Sequence, residues 1–269
     1  MIDVRSVSHA YLDGTPKVLD DVEVTFPPGQ VTALVGSNGA GKSTLLSAMG
    51  RLLTPKAGSV LLDGVDIAKA PPTTVAKRMA VLRQDNRISA RLTVVDLIRF
   101  GRFPYSAGRL TIQDHSVVEQ ALDYVDMTAM RDCFLDELSG GQRQRAYIAM
   151  ILAQDTDYVL LDEPLNNLDM RHAAAIMQLL RRTADDLERT VIVVLHDINV
   201  ASSYCDRIVG MRDGRIVVDG TPAHVMRTDV LAEVFDMDIP VHDIDGHQLA
   251  LHWAPDRHVS HLTDPRRPA

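Results

Sequence analysis

The chain has 269 residues, 46% of them hydrophobic and 24% charged, which is the composition of an ordinary packed protein and excludes a disordered, collagenous or low-complexity chain. At the usual ~150 residues per domain the length falls between one and two domains and can bury a sizeable core. Lys plus Arg at 28 against Asp plus Glu at 36 leaves a net charge of −8, and no basic block stands out, which argues against a binder of nucleic-acid backbones or anionic lipid. The longest uninterrupted apolar run is the eight residues Ala146 to Ala153, far short of the ~20 that cross a bilayer. Asp3, Arg5, His9 and Asp13 interrupt any signal-peptide core, so the chain is expected to stay in the cytoplasm. Cys133 and Cys205 lack the spacing of a metal site and are expected to be buried, reduced thiols.

In chain order, short strands are predicted at Ile2 to Val7 and Val22 to Phe26, with turn formers at Asp13-Gly14 and Pro27-Pro28-Gly29, an antiparallel start. Val31 to Val35 is nearly continuous and apolar, the pattern of a strand buried on both faces of a parallel sheet. Two similar runs, Tyr158 to Leu161 and Val191 to Leu195, flank a helical stretch marked by Ala173, Ile176, Met177, Leu180, Ala184 and Leu187, which reads as a β-α-β crossover. From Arg87 to Ala153 the strand signals give way to helix: Thr93 caps Val94 to Phe100, and a second amphipathic stretch runs from His115 to Val125. Ile208 to Met211 and Arg215 to Val218 flank Asp213-Gly214, a strong hairpin signal. From about Ala254 the chain reads as a frayed tail.

Between the strand Val31 to Val35 and the helical run Thr44 to Met49 stands Gly36-Ser37-Asn38-Gly39-Ala40-Gly41-Lys42-Ser43, a P-loop in its proper context. Glycines let successive amides point at phosphates, the helix presents its positive end, Lys42 reaches the terminal phosphates and Ser43 offers a hydroxyl to Mg²⁺. Asp162 and Glu163 end a buried strand, the edge of an open sheet where ligands bind. Asp162 is the expected Mg²⁺ partner, and Glu163 the candidate general base toward a water attacking the γ-phosphate. Leu138-Ser139-Gly140-Gly141-Gln142, directly before the helical Arg143 to Ala153, makes a second anion-binding helix start with Ser139 as N-cap, but it has no lysine and cannot form a complete site alone.

P-loop, LSGGQ and Leu-Leu-Asp-Glu in this order resemble the nucleotide-binding subunit of the ATP-binding cassette (ABC) transporters over roughly Ile2 to Pro222. The resemblance implies an α/β P-loop NTPase, RecA-like core (1–86 and 154–222) with an N-terminal antiparallel β subdomain and an inserted helical signature subdomain (87–153), followed by a short C-terminal extension (223–269). It implies that Tyr11 stacks on adenine, that Thr44 belongs with the phosphate-binding stretch, and that Gln84 touches Mg²⁺ or the attacking water. It also implies that His196 contacts the γ-phosphate and that Asp169 lies in a loop crossing a dimer interface; read from the residues alone, Asp169 is an N-cap for the following helix, and the two roles are compatible. In the family each ATP lies between the P-loop of one subunit and the LSGGQ of the other, so a second copy of the chain is the implied partner. A transmembrane permease is the other, contacted through the segment Arg83 to Leu110 with Phe100, Phe103, Tyr105 and the arginines Arg87, Arg91, Arg99, Arg102 and Arg109. A substrate-binding protein is reached only indirectly, no nucleic-acid partner is implied, and the location is the cytoplasmic face of the membrane.

Within the family, Gly101-Arg-Phe-Pro-Tyr105, Leu165-Asn-Asn-Leu-Asp169-Met-Arg-His172 and Val234 to Val241 resemble the ATPases of bacterial ferric-siderophore importers, with haem and cobalamin importers as neighbours. A soluble ABC ATPase of DNA repair or translation is the reading of a different class, but no coiled-coil insertion or second cassette is visible. A P-loop kinase or GTPase leaves LSGGQ unexplained, and the guanine-reading Asn-Lys-x-Asp motif is absent.

Overall fold

The computed structural model of the chain describes residues 1–12, 14–84 and 90–252. Asp13, Arg87 and the expected tail from Ala254 lie outside the described residues. In chain order the elements are β1 (Ile2–His9), β2 (Leu19–Phe26), β3 (Val31–Val35), α1 (Lys42–Met49), β4 (Ala57–Leu62), β5 (Val65–Asp66), α2 (Pro72–Ala76) and β6 (Met79–Leu82). Then follow α3 (Val94–Phe100), α4 (Phe103–Ser106), α5 (Ile112–Tyr124), α6 (Gly140–Ala153), β7 (Tyr158–Leu161), α7 (Met170–Leu187), β8 (Thr190–Val194) and α8 (Ile198–Tyr204). The chain closes with β9 (Arg207–Arg212), β10 (Arg215–Gly220), α9 (Pro222–Val225), α10 (Thr228–Phe235), β11 (Val241–Ile244) and β12 (His247–Ala250).

A six-stranded sheet in the order β10-β9-β3-β8-β7-β6 forms the centre. β6, β7, β8, β3 and β9 run parallel, and β10 turns back on β9. The strands obey a period of two across the sheet. Val31, Ala33, Val35, Val159, Leu161, Val191 and Val193 bury on one face with the helices. Leu34, Leu160, Ile192 and Val194 bury on the other, with α1 and the strands of a second, antiparallel sheet. That second sheet has the order β2-β1-β4-β5, the antiparallel start expected from its turn formers.

Between β6 and β7 the described chain is helical, apart from one isolated bridge pairing Thr93 with Phe134. Thr93 and Asp96 form a capping box that starts α3 where the sequence predicts it, and Thr111 with Asp114 does the same for α5, each satisfying otherwise orphaned helix amides. α3, α5 and α6 pack together, and α6 also rests on β6, so this layer is seated on the sheet. β11 and β12 make a separate hairpin pinned to α8, since Asn199 Nδ2 donates to the Ala250 carbonyl at 3.0 Å and Asn199 Oδ1 accepts from the Ala250 amide at 2.8 Å. Leu231, Val234, Ile239 and Ala250 join the same buried cluster as the sheet, so the described stretch from Pro222 to Ala250 packs into the body. Cys205 is buried and Cys133 partly so, both as free thiols, and burial pushes the Cys205 thiol up to about 12.

Candidate active site

Because β3, β6, β7 and β8 run parallel, their C-terminal ends meet at one edge of the sheet, and each delivers one part of the site. The loop after β3 carries Gly36, Ser37, Asn38, Gly39, Ala40 and Gly41 into α1. Gly36 has φ +145, and a Cβ there would lie 2.1 Å from the Met211 carbonyl oxygen, so only glycine lets the loop close against β9. Lys42 opens the helix with its side chain folded back: Nζ donates to the carbonyls of Gly36 at 2.8 Å and Ser37 at 2.9 Å. Burial pulls its ammonium down from the usual lysine range, opposed by the charges of Glu163 and Asp162. Lys42 is thus a buried cation held by two carbonyls, with the carboxylates of Asp162 and Glu163 near it.

Ser43 Oγ donates to Asp162 Oδ1 at 2.8 Å, bringing the α1 hydroxyl and the β7 carboxylate together. Asp162 is 8% exposed, and burial raises its carboxyl against the opposing pull of the Ser43 hydrogen bond. Glu163 follows with φ +49, in the left-handed region where a non-glycine residue is uncommon. Its carboxylate turns to different partners: Oε2 accepts from Gln84 Nε2, after β6, at 2.7 Å and from Asn166 Nδ2, while Oε1 lies 2.8 Å from His196 Nε2, after β8. Gln84, Asp162, Glu163 and His196, four residues spread over more than a hundred positions, thus share one cluster with Lys42 and Ser43. Tyr11 stands beside it. Its ring is 62% exposed, edge-on to His9 at 5.1 Å between centroids, with its hydroxyl 3.1 Å from Thr44 Oγ1.

The LSGGQ turn forms a second cluster on the helical layer. Ser139 caps α6, with Oγ accepting from the Gln142 amide at 3.3 Å and the Gln142 side chain accepting from the Ser139 amide at 2.9 Å. Gly140 is exposed beside Asn167 and Leu168. Gly141 is packed so closely against the His172 ring that a Cβ would meet it at 2.1 Å. Asp169 caps α7, accepting from the His172 amide at 2.8 Å and lying 2.8 Å from its Nδ1, and these bonds hold its carboxyl below the usual range. The turn Ser139, Gly140, Gly141 and Gln142 at the start of α6 therefore lies against the start of α7, where Asp169 closes the turn that follows Glu163.

Sequence reasoning did not single out Asn166, Thr44's contact with Tyr11, or His172. A side-chain donor three residues after Glu163, in a proline-containing turn, is the one signal that points to Asn166. In the segment Arg83 to Leu110 the outcome is mixed. Phe100, Phe103 and Tyr105 are exposed, but Arg102 is buried and paired with Asp114 at 2.9 Å, because its guanidinium is needed to hold α4 to α5. Arg91 lies over the Phe134 ring at 3.9 Å, and Arg99 pairs with Asp96.

A doubly layered α/β sheet whose strand ends gather a P-loop lysine, a hydroxyl, adjacent carboxylates, a glutamine and a histidine defines a P-loop nucleotide-hydrolysing cassette. The chain belongs to the ABC transporter family, whose sequence profile matches residues 19–166, and it is an ATP-binding ATPase. It is 49% identical over 254 residues to the petrobactin import ATP-binding protein YclP of Bacillus subtilis, covering 94% of this chain and 100% of that one. It is 39% identical to the iron(3+)-hydroxamate import ATP-binding protein FhuC of the same organism, covering 85% and 86%. Among solved structures it resembles a dimeric bacterial ABC transporter cassette at 28% identity and TM-score 0.73, over 82% of this chain and 99% of that one. No helix among the described residues is long and apolar enough to cross a membrane.

Proposed function

We propose that this chain is the motor subunit of a bacterial importer, pairing with a second copy on ATP to drive uptake of a ferric siderophore through a separate permease at the cytoplasmic face of the membrane. The observation that carries the motor reading is the gathering of Lys42, Ser43, Gln84, Asp162, Glu163 and His196 at one sheet edge. The LSGGQ turn belongs to a different layer, with its capping bonds internal, which supports a site completed by the LSGGQ of the second copy. The likeness to importer ATPases named for petrobactin and hydroxamates supports the cargo. The extended layout is a core of 1–86 and 154–222 that hydrolyses, a helical part of 87–153 that meets the permease, and 223–269 as an extension. The binding protein acts only through the permease, and no nucleic acid takes part.

On this reading Tyr11 stacks on the adenine, the amides of Gly36 to Thr44 receive the phosphates, and Lys42 exchanges its two carbonyl partners for phosphate oxygens. The donor set of Ser43, Asp162 and Gln84 is hydroxyl, carboxylate and amide oxygen, which fits Mg²⁺. No cluster of three or more His, Cys, Asp or Glu is present among the described residues, and Mg²⁺ commonly takes only one or two carboxylates, the rest coming from phosphate and water. When bound, the ion neutralises charge on the transferring phosphoryl group. Glu163 accepts a proton from the attacking water, and His196, held at Glu163 Oε1, lies where the γ-phosphate is sensed. Contacts that exist only while the γ-phosphate is present hold the pair together, so hydrolysis releases it.

The test is Glu163→Gln. The purified variant is expected to bind ATP and form an ATP-dependent dimer on size-exclusion chromatography while turnover drops about 10²- to 10⁴-fold. Wild-type turnover would remove Glu163 from the base role. In cells lacking the gene, uptake of radiolabelled iron as a ferric siderophore should return with the wild-type gene and not with Glu163→Gln. Restoration of haem or cobalamin uptake in place of ferric-siderophore uptake would overturn the cargo assignment, and co-purification with ribosomes or DNA would overturn the importer.

A further inference from the structure

We infer that Asn166 is a positioning residue for the Glu163 carboxylate, holding one of its oxygens so that the other is presented to the reacting water. The inference rests on Glu163 acting as the base. Glu163 is set by its backbone at φ +49 and its side chain is 11% exposed. Its donors come from separate parts of the chain. Gln84 follows β6 and His196 follows β8, so their hold on Glu163 depends on how the strand ends sit relative to one another.

Asn166 is different, because it belongs to the turn that carries Glu163. Its amide N–H donates to the Glu163 carbonyl at 3.3 Å, its side-chain amide donates to Glu163 Oε2, and the buried Pro164 lies between them. Main chain and side chain are therefore fastened together as one four-residue unit, Glu163 to Asn166. Gln84 Nε2 shares the same oxygen at 2.7 Å, whereas Oε1 faces His196. If Gln84 turns to the metal in the loaded site, Oε2 loses one donor and Asn166 keeps the other. The carboxylate then cannot rotate freely, and Oε1 stays on the His196 side, where the proposed function places the γ-phosphate and the attacking water. A general base gains rate only when its lone pair is already aimed.

Asn166→Ala removes the donor alone, whereas Asn166→Asp also sets a second carboxylate against Glu163 Oε2. We expect Asn166→Asp and Asn166→Ala each to lower kcat by about ten- to a hundredfold, the range of one hydrogen bond to a charged group. The ATP concentration at half-maximal rate should stay within about twofold, since the bond stabilises only the reacting geometry. Fluorescent-nucleotide binding and the ATP-dependent dimer should persist in both variants, and Asn166→Gln, which retains an amide donor, should recover part of kcat. A purely structural turn residue would leave Asn166→Ala, if folded, at wild-type kcat, and that outcome overturns the inference. So does a loss of kcat matched by an equal loss of ATP-dependent dimer, which would assign Asn166 to the subunit interface. Glu163→Gln is measured alongside. Full activity there would overturn the base assignment, whereas an inactive Glu163→Gln beside a fully active Asn166→Ala would overturn the positioning role alone.

Discussion

Arg102→Ala, which breaks the buried ion pair between Arg102 and Asp114, should cost the helical layer about 3 kcal/mol. Both side chains are 6% exposed. Arg102 Nε donates to Asp114 Oδ1 at 2.9 Å, Nη1 donates to the Ala153 carbonyl at 2.8 Å, and the guanidinium lies 4.1 Å from the Tyr105 ring centre. One side chain thus joins α4, the start of α5 and the end of α6. Removing one partner of a buried pair typically costs about 3–5 kcal/mol because a charge is left uncompensated. Asp114 keeps the Thr111 amide at 2.9 Å and the Thr111 hydroxyl at 2.7 Å, which places the cost at the lower end. At roughly 2–4 °C per kcal/mol for a chain of this size, Tm should fall by about 6–12 °C. Urea unfolding of Arg102→Ala, Asp114→Asn and the double variant gives the coupling, expected at about 2 kcal/mol within the ~0.5–3 range for residues in contact. ATP hydrolysis by the folded variants should survive at low temperature, since no atom of the pair touches the nucleotide cluster. A loss below about 0.5 kcal/mol, with no coupling, would mean that the pair is solvated and that the helical layer is held by apolar packing alone.

The same carboxylate sets an acid limb. The hydrogen bonds from Thr111 and the Arg102 charge hold the Asp114 carboxyl at about 2, down from 3.8. A group whose folded pKa is depressed contributes stability in full above its unfolded value and loses it as pH falls through the folded one. The advantage of the wild type over Asp114→Asn, on the order of 2 kcal/mol, should therefore shrink between pH 4 and pH 2, as read from urea midpoints. A gap that stays constant over that range would refute the assignment. Tyr11→Ala should weaken ATP binding about tenfold, since base–aromatic stacking is worth about 1–3 kcal/mol, while leaving inorganic tripolyphosphate binding unchanged. Equal losses for both ligands would show that Tyr11 supports the P-loop through Thr44 and does not touch the base.

What was legible in the sequence is what is local. The strands Val31–Val35 and Tyr158–Leu161 and the helix Val94–Phe100 fall where their patterns place them, because a continuous apolar run or a Thr-x-x-Asp cap is enough to specify each. The helix Ile112–Tyr124 begins three residues before the expected His115. Its apolar stripe starts later than its cap, and Thr111 with Asp114 marks the true start. The hairpin at Asp213-Gly214 was readable from the pair itself, yet Asp63-Gly64 and Asp245-Gly246 make the same turn, all six residues having positive φ. The strands beside the last of these, Val241–Ile244 and His247–Ala250, went unread because His242, Asp243, Ile244 and His247 are exposed and the hairpin carries no apolar alternation to see.

The site divides along the same line. The P-loop and the Ser139 cap are built from neighbours in the chain, so their chemistry can be read by spacing. The cluster around Glu163 is built by strand order: β6 lies beside β7 and β7 beside β8, and only that order brings Gln84, Glu163 and His196 within hydrogen-bonding reach. No periodicity along the chain encodes which strands are adjacent, so Gln84 and His196 were reachable only through resemblance to a family. Asn166 escaped for the opposite reason. It is close in sequence, but its meaning depends on the left-handed backbone at Glu163, which turns the carboxylate back over the following residues, and no residue-type pattern announces such a conformation in a glutamate.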